Sequence, residues 1–107
     1  MSDTRLRHIE RRIAGIKDAL ATIGPMRPGS LTRQYKDPKG RSGPYWQISY
    51  TRAMKSHTDY VRQKCMADIR RQVAAYKRFK NLIEEWIDLS IEASKVNMQI
   101  ARRKGSE

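Results

Sequence analysis

Cysteine and histidine are scarce in this chain of 107 residues, and the scarcity removes whole classes of chemistry. With Cys65 alone, no intramolecular disulfide can form, which points to a reducing compartment. Its neighbours Val61, Met66 and Ile69 predict a buried, unreactive thiol. His8 and His57 have no second histidine or cysteine at metal-ligand spacing, and there is no glycine-rich phosphate loop. Neither a metal nor another cofactor is expected. No apolar run approaches the ~20 residues that cross a bilayer, and the opening MSDTRLRHIERRI has no apolar secretory core. These absences predict a cytoplasmic protein with no membrane partner.

Acidic charge is the other shortage. Lys and Arg number 23 against 11 acidic residues, a net charge of +12 that attracts polyanions and makes nucleic acid the leading partner class. Residues 25 to 80 hold fourteen of these cations and only three carboxylates, Asp37, Asp59 and Asp68, so nearly all the net charge sits there. The length suits one domain, 1–107, with a modest core.

What is present divides into three segments. From Thr4 to Ile23 the residues Leu6, Ile9, Ile13, Ile16, Leu20 and Ile23 recur at spacings of three and four, an apolar seam on a helix capped by Asp3 or Thr4 and stopped by Gly24-Pro25. Residues 62–103 contain neither glycine nor proline and predict one long helix. Its second half carries a matching seam of Phe79, Ile83, Trp86, Leu89, Ala93, Val96 and Ile100. The two seams are expected to pair antiparallel, Ile23 near Phe79 and Leu6 towards Val96 or Ile100. Leu82, Ile87 and Ile91 remain as apolar edges and leave room for a homodimer of four helices.

Between the helices lie all four prolines and most of the six glycines. This basic segment, 26–61, predicts three short antiparallel strands: Ser30 to Tyr35, Tyr45 to Thr51 and Ser56 to Val61, the last two closed by the tight link RAMK. Trp46, Ile48 and Tyr50 alternate with Tyr45, Gln47, Ser49 and Thr51, giving one face to be covered by Met66, Ile69, Val73 and Tyr76 of the long helix. The fold class is therefore α+β: an N-terminal helix, a three-stranded antiparallel sheet, and a long C-terminal helix paired with the first.

No catalytic constellation is visible. Glu84, Glu85 and Asp88 in EEWID spread over a helix as solvated carboxylates that meet the basic N-terminal helix or a partner, so the chain is not expected to be an enzyme. The uncovered sheet face, with Gln47, Ser49 and Thr51 flanked by Arg33 and Arg52, forms a narrow hydrogen-bonding platform of the kind that enters a major groove. Lys36, Lys39, Arg41 and Lys55 in the turns would meet phosphates, joined by Arg62, Arg70 and Arg71 from the basic half of the long helix. Tyr45 offers instead a ring for stacking on an unpaired base.

The blocks GSL and QY within 29–35, GPYWQISYT at 43–51, HTDYV at 57–61 and the helix RRQVAAYKRFKNLIEEWIDLSIE resemble a family of small, largely uncharacterised bacterial and archaeal proteins associated with mobile elements. The resemblance spans about residues 26–93 and implies a transposition accessory or phage setting. A cysteine cluster of that family falls where this chain has KDPKGRS, so a metal site there would be missing. The strand order and following helix also resemble the three-stranded arm-binding domains of tyrosine integrases, at the level of fold alone.

Two functions follow as expectations. One is a non-catalytic nucleic-acid-binding accessory protein that grips duplex DNA, with RNA as the alternative polyanion. The other is a helical-hairpin interaction module that docks on a larger mobile-element protein or ribonucleoprotein.

Overall fold

In the computed structural model, which describes residues 2–105, the apolar periodicity of the first segment forms helix α1, Ser2–Ala21. Three strands follow, β1 (Ser30–Asp37), β2 (Ser42–Arg52) and β3 (Lys55–Val61), then a 3-10 turn at Gln63–Cys65 and helix α2, Met66–Arg103. The chain is α+β, and no helix among the described residues is long and apolar enough to cross a membrane. It forms two compact units: the described residues of Met1–Ile23 with Arg78–Glu107, and Gly24–Lys77.

The first unit is a helical hairpin. Arg5 bonds Glu92, Arg12 bonds Glu85, and Arg78 donates to the Thr22 hydroxyl at 3.3 Å, so the partners run in opposite directions. Ile9, Ile16 and Val96 are buried between the helices, and the other seam residues are half-buried. Helix α1 begins two residues before Thr4, so Asp3 and Thr4 lie in its first turn rather than capping it. Its last turn tightens: the Thr22 and Ile23 amides reach back three residues to Ala19 and Leu20, and the Thr22 hydroxyl donates to the Ala19 carbonyl at 2.7 Å. Gly24-Pro25 then prevents continuation.

The second unit is a sheet of order β1-β2-β3, antiparallel throughout, with the start of α2 packed on it. Ile48 is fully buried against Val61, Met66 and Val73, and Leu31, Trp46 and Ile69 close around them. Ala53 and Met54 form the two-residue link between β2 and β3 with φ of 51° and 65°, the positive pair that matches hairpin twist, although neither is the usual Asn or Gly. Gly29 enters β1 at φ 141°, where an added Cβ would fall 2.5 Å from Ile48 Cγ1. The chain can pass over the core only with no side chain there.

Cys65 is exposed, contrary to the expectation from its apolar neighbours. Its amide closes the 3-10 turn onto the Arg62 carbonyl at 2.9 Å, and Met66 takes the core position instead. The turn shifts the phase at which α2 begins, and so moves the thiol out to solvent.

Candidate nucleic-acid interface

Cross-strand register assigns every sheet residue to a face, because directly paired residues share a side and neighbours along a strand alternate. Leu31 pairs with Ile48 and Ile48 with Asp59; Arg33 pairs with Trp46 and Trp46 with Val61. These define the face under α2. On the opposite face Ser30, Ser49 and Thr58 form one row, Thr32, Gln47 and Tyr60 a second, Gln34 and Tyr45 a third, and Thr51 with Ser56 a fourth. That face is built from hydroxyls and amides.

No carboxylate lies on it among the described residues. Asp59 is on the covered face and ion-paired to Arg27, Asp68 pairs with Arg71 at 3.2 Å, and Asp37 accepts from the Gly40 amide in the β1–β2 turn at 3.3 Å. Local hydrogen bonds are few and long: Ser49 Oγ lies 3.3 Å from Thr58 Oγ1, and Gln34 Nε2 donates to Thr32 Oγ1 at 3.4 Å. Such side chains retain donors and acceptors for a ligand.

Cations gather at one end of this face. Lys36 is the last open-face residue of β1, and its aliphatic stem lies over Gly43, at φ 65°, where a Cβ would sit 3.0 Å from Lys36 Cβ. Lys39 and Arg41 follow in the turn between β1 and β2, Arg41 with φ 52°. Beside them the Tyr45 and Tyr60 rings stand 6.4 Å apart and tilted by 46°, and Lys36, Pro44, Tyr45 and Tyr60 line a shallow depression of about 430 Å³. Tyr60 is 67% exposed.

The thirteen residues singled out in the sequence therefore do not form one surface. Lys36, Tyr45, Gln47, Ser49 and Thr51 share the open face, with Lys39 and Arg41 at its end. Arg33 and Arg52 belong to the covered face, contrary to the expectation that they flank the platform. Arg33 lies over the Tyr35 ring at 5.6 Å, and Arg52 pairs across the hairpin with Lys55. Arg70 stacks on Trp46 at 5.1 Å from the helix side, Arg71 is on the same helix, and Arg62 stands at the junction before it. Ser30, Thr32, Gln34, Ser56, Thr58 and Tyr60 were not singled out in the sequence. Counting back by twos from Val61 gives Asp59 and His57 on the covered face, which leaves Tyr60 and Thr58 on the open one.

On the covered side Arg27 ties several elements together. Its amide donates to the Gln72 carbonyl at 3.1 Å, its guanidinium pairs with Asp59 and lies 5.3 Å from the Tyr50 ring, and Tyr50 in turn stacks on His57 at 5.1 Å. This cluster fastens the loop before β1 to the sheet and to α2. No group of three or more His, Cys, Asp or Glu side chains able to hold a metal converges among the described residues. Comparison with protein-family models, with characterised proteins and with solved structures finds no match to the chain.

Proposed function

We propose that this chain is a non-catalytic accessory protein that binds duplex DNA, with the uncovered sheet face turned to base edges in the major groove and Lys36, Lys39 and Arg41 on the phosphates. One observation carries this reading: a sheet face of hydroxyls and amides without carboxylates, with cations at its end. Ser, Thr, Gln and Tyr are suited to base-edge donors and acceptors, whereas lysine and arginine neutralise phosphates without reading sequence. A mobile-element setting rests on the sequence resemblance alone.

Binding to short duplexes, measured across a salt series, tests this. Each lost phosphate contact makes the slope of log K against log salt shallower by about one, so Lys36→Ala, Lys39→Ala and Arg41→Ala together should flatten it and weaken all sequences alike. Gln47→Ala and Thr51→Val keep the charge, so they should change preference among sequences and leave the slope in place. If both sets bind as wild type does, the sheet is not the interface, and the docking-module reading takes its place. The Tyr45–Tyr60 ring pair is the observation that favours single-stranded DNA or RNA as the alternative ligand, and including both in the titration separates stacking from groove reading.

A further inference from the structure

In the helical hairpin, α2 buries one side against α1 and presents a second apolar stripe elsewhere. Ile83, Ile87, Ile91 and Met98 follow one another at spacings of four, four and seven, with Ser90 and Ser94 between them. Ile87, Ile91 and Met98 are 48%, 51% and 63% exposed, so a large apolar surface meets water. Together with Trp86 and Lys95 these side chains line a groove of about 620 Å³. Through Ser90, Ser94 and Met98 it continues into a neighbouring groove of about 530 Å³ that reaches Ile13 of α1. The apolar surface thus extends over both helices of the hairpin. Exposed continuous patches of this kind are the usual mark of an interaction site.

We infer that the occupant is a second copy of this chain, hairpin against hairpin, with the two α2 helices antiparallel across a two-fold axis near Ser90. The charges along the stripe select this partner and this direction. Glu84 and Asp88 stand beside its first half and Lys95 beside its second, on the same side of the helix. An antiparallel copy sets Glu84 and Asp88 opposite the other copy's Lys95, twice by symmetry. A parallel two-fold copy would carry this flank to the opposite rim of the seam, so that Glu84, Asp88 and the other copy's Lys95 would not meet and the charges would contribute nothing. The small Ser90 and Ser94 leave holes between larger neighbours, and the other copy's Ile87 and Ile91 are the knobs that fit them. Residues 81–103 carry four carboxylates against three cations, so this stretch escapes the mutual repulsion that the strongly basic segment 25–80 would impose.

Sedimentation equilibrium on the full chain, from micromolar to sub-millimolar concentration, tests the inference. Wild type should be a dimer that dissociates on dilution. Ile87→Asp with Ile91→Asp should be monomeric at every concentration, with unchanged helix content by circular dichroism because both residues are exposed. Glu84→Lys with Asp88→Lys should weaken the dimer roughly tenfold or more, and Lys95→Glu should act in the same direction. The triple variant Glu84→Lys, Asp88→Lys, Lys95→Glu should recover the wild-type constant, since an antiparallel pair is again complementary. A wild type that stays monomeric overturns the proposal. So does a dimer indifferent to Ile87→Asp and Ile91→Asp, and so does a triple variant that fails to recover, because each means that another surface or another direction is in use.

Discussion

Arg12 holds both carboxylate oxygens of Glu85: Nε donates to Oε2 at 2.6 Å and Nη2 to Oε1 at 2.8 Å. The residues are 73 positions apart in sequence, and the pair joins α1 to α2 by a planar two-point contact that a lysine could not reproduce. The hydrogen bonds from Arg12 hold the Glu85 carboxyl below its ordinary value, with the positive charge acting in the same direction and partial desolvation opposing.

A carboxyl with a lowered folded-state pKa binds fewer protons when folded than when unfolded, so it contributes stability above its unfolded value, near ~4.3, and loses it as pH falls through the folded value. Glu85→Gln should therefore reduce stability at neutral pH slightly and flatten the acid limb of a plot of melting temperature against pH. The effect is small because both side chains reach solvent, and added salt should diminish it further. An acid limb that keeps its wild-type shape in the variant would show that the contact has no energetic weight.

Among the described residues, Ile16 and Ile48 are the two largest fully buried side chains, one in each unit. Truncation of either to alanine should cost about 3 kcal/mol, the sum of lost transfer energy and an unfilled cavity, measured by urea titration. Ile16→Asp adds an unpaired buried charge and should leave the hairpin unfolded at ambient temperature, whereas Trp86→Asp, at a half-buried site where Lys17 lies 5.3 Å from the ring, should cost less.

Two glycines should respond to alanine with opposite signs. Gly29→Ala places a methyl group into Ile48 and an L-residue at φ 141°, and should destabilise by about 2 kcal/mol. Gly15 is exposed within α1 with nothing within 4 Å of an added Cβ, so Gly15→Ala should stabilise by about 1 kcal/mol through helix propensity. Thermal melts of the two variants measure both.

Arg33 and Thr32 are adjacent in β1 and face opposite sides of the sheet, so they separate the proposed DNA contacts cleanly. Thr32→Val should alter preference among duplex sequences with no change in salt slope. Arg33→Ala should leave sequence preference as it is, although it removes a charge. Competition binding with a small panel of duplexes checks the contrast, and the reverse result would mean that the covered side meets the nucleic acid.

The helices were legible from the sequence because their signals are local. Threes and fours from Leu6 to Leu20 set the stripe of α1, the absence of glycine and proline sustained α2 through Arg103, and two seams of equal period can satisfy one another only by pairing. The three strands were legible for the same reason, from alternation in β2 and turn residues between, and of the EEWID carboxylates, expected to meet the basic N-terminal helix or a partner, Glu85 meets Arg12 of that helix. What tertiary structure alone decided is phase. Alternation says that Arg33 and Thr32 differ in face, but only the register that sets Arg33 against Trp46 says which of them is covered. In the same way a three-residue turn before α2 put Met66 rather than Cys65 into the core. A one-residue shift exchanges the two faces of a strand or rotates a helix by more than a quarter turn, and its energy comes from contacts between segments distant in sequence, which no local pattern contains.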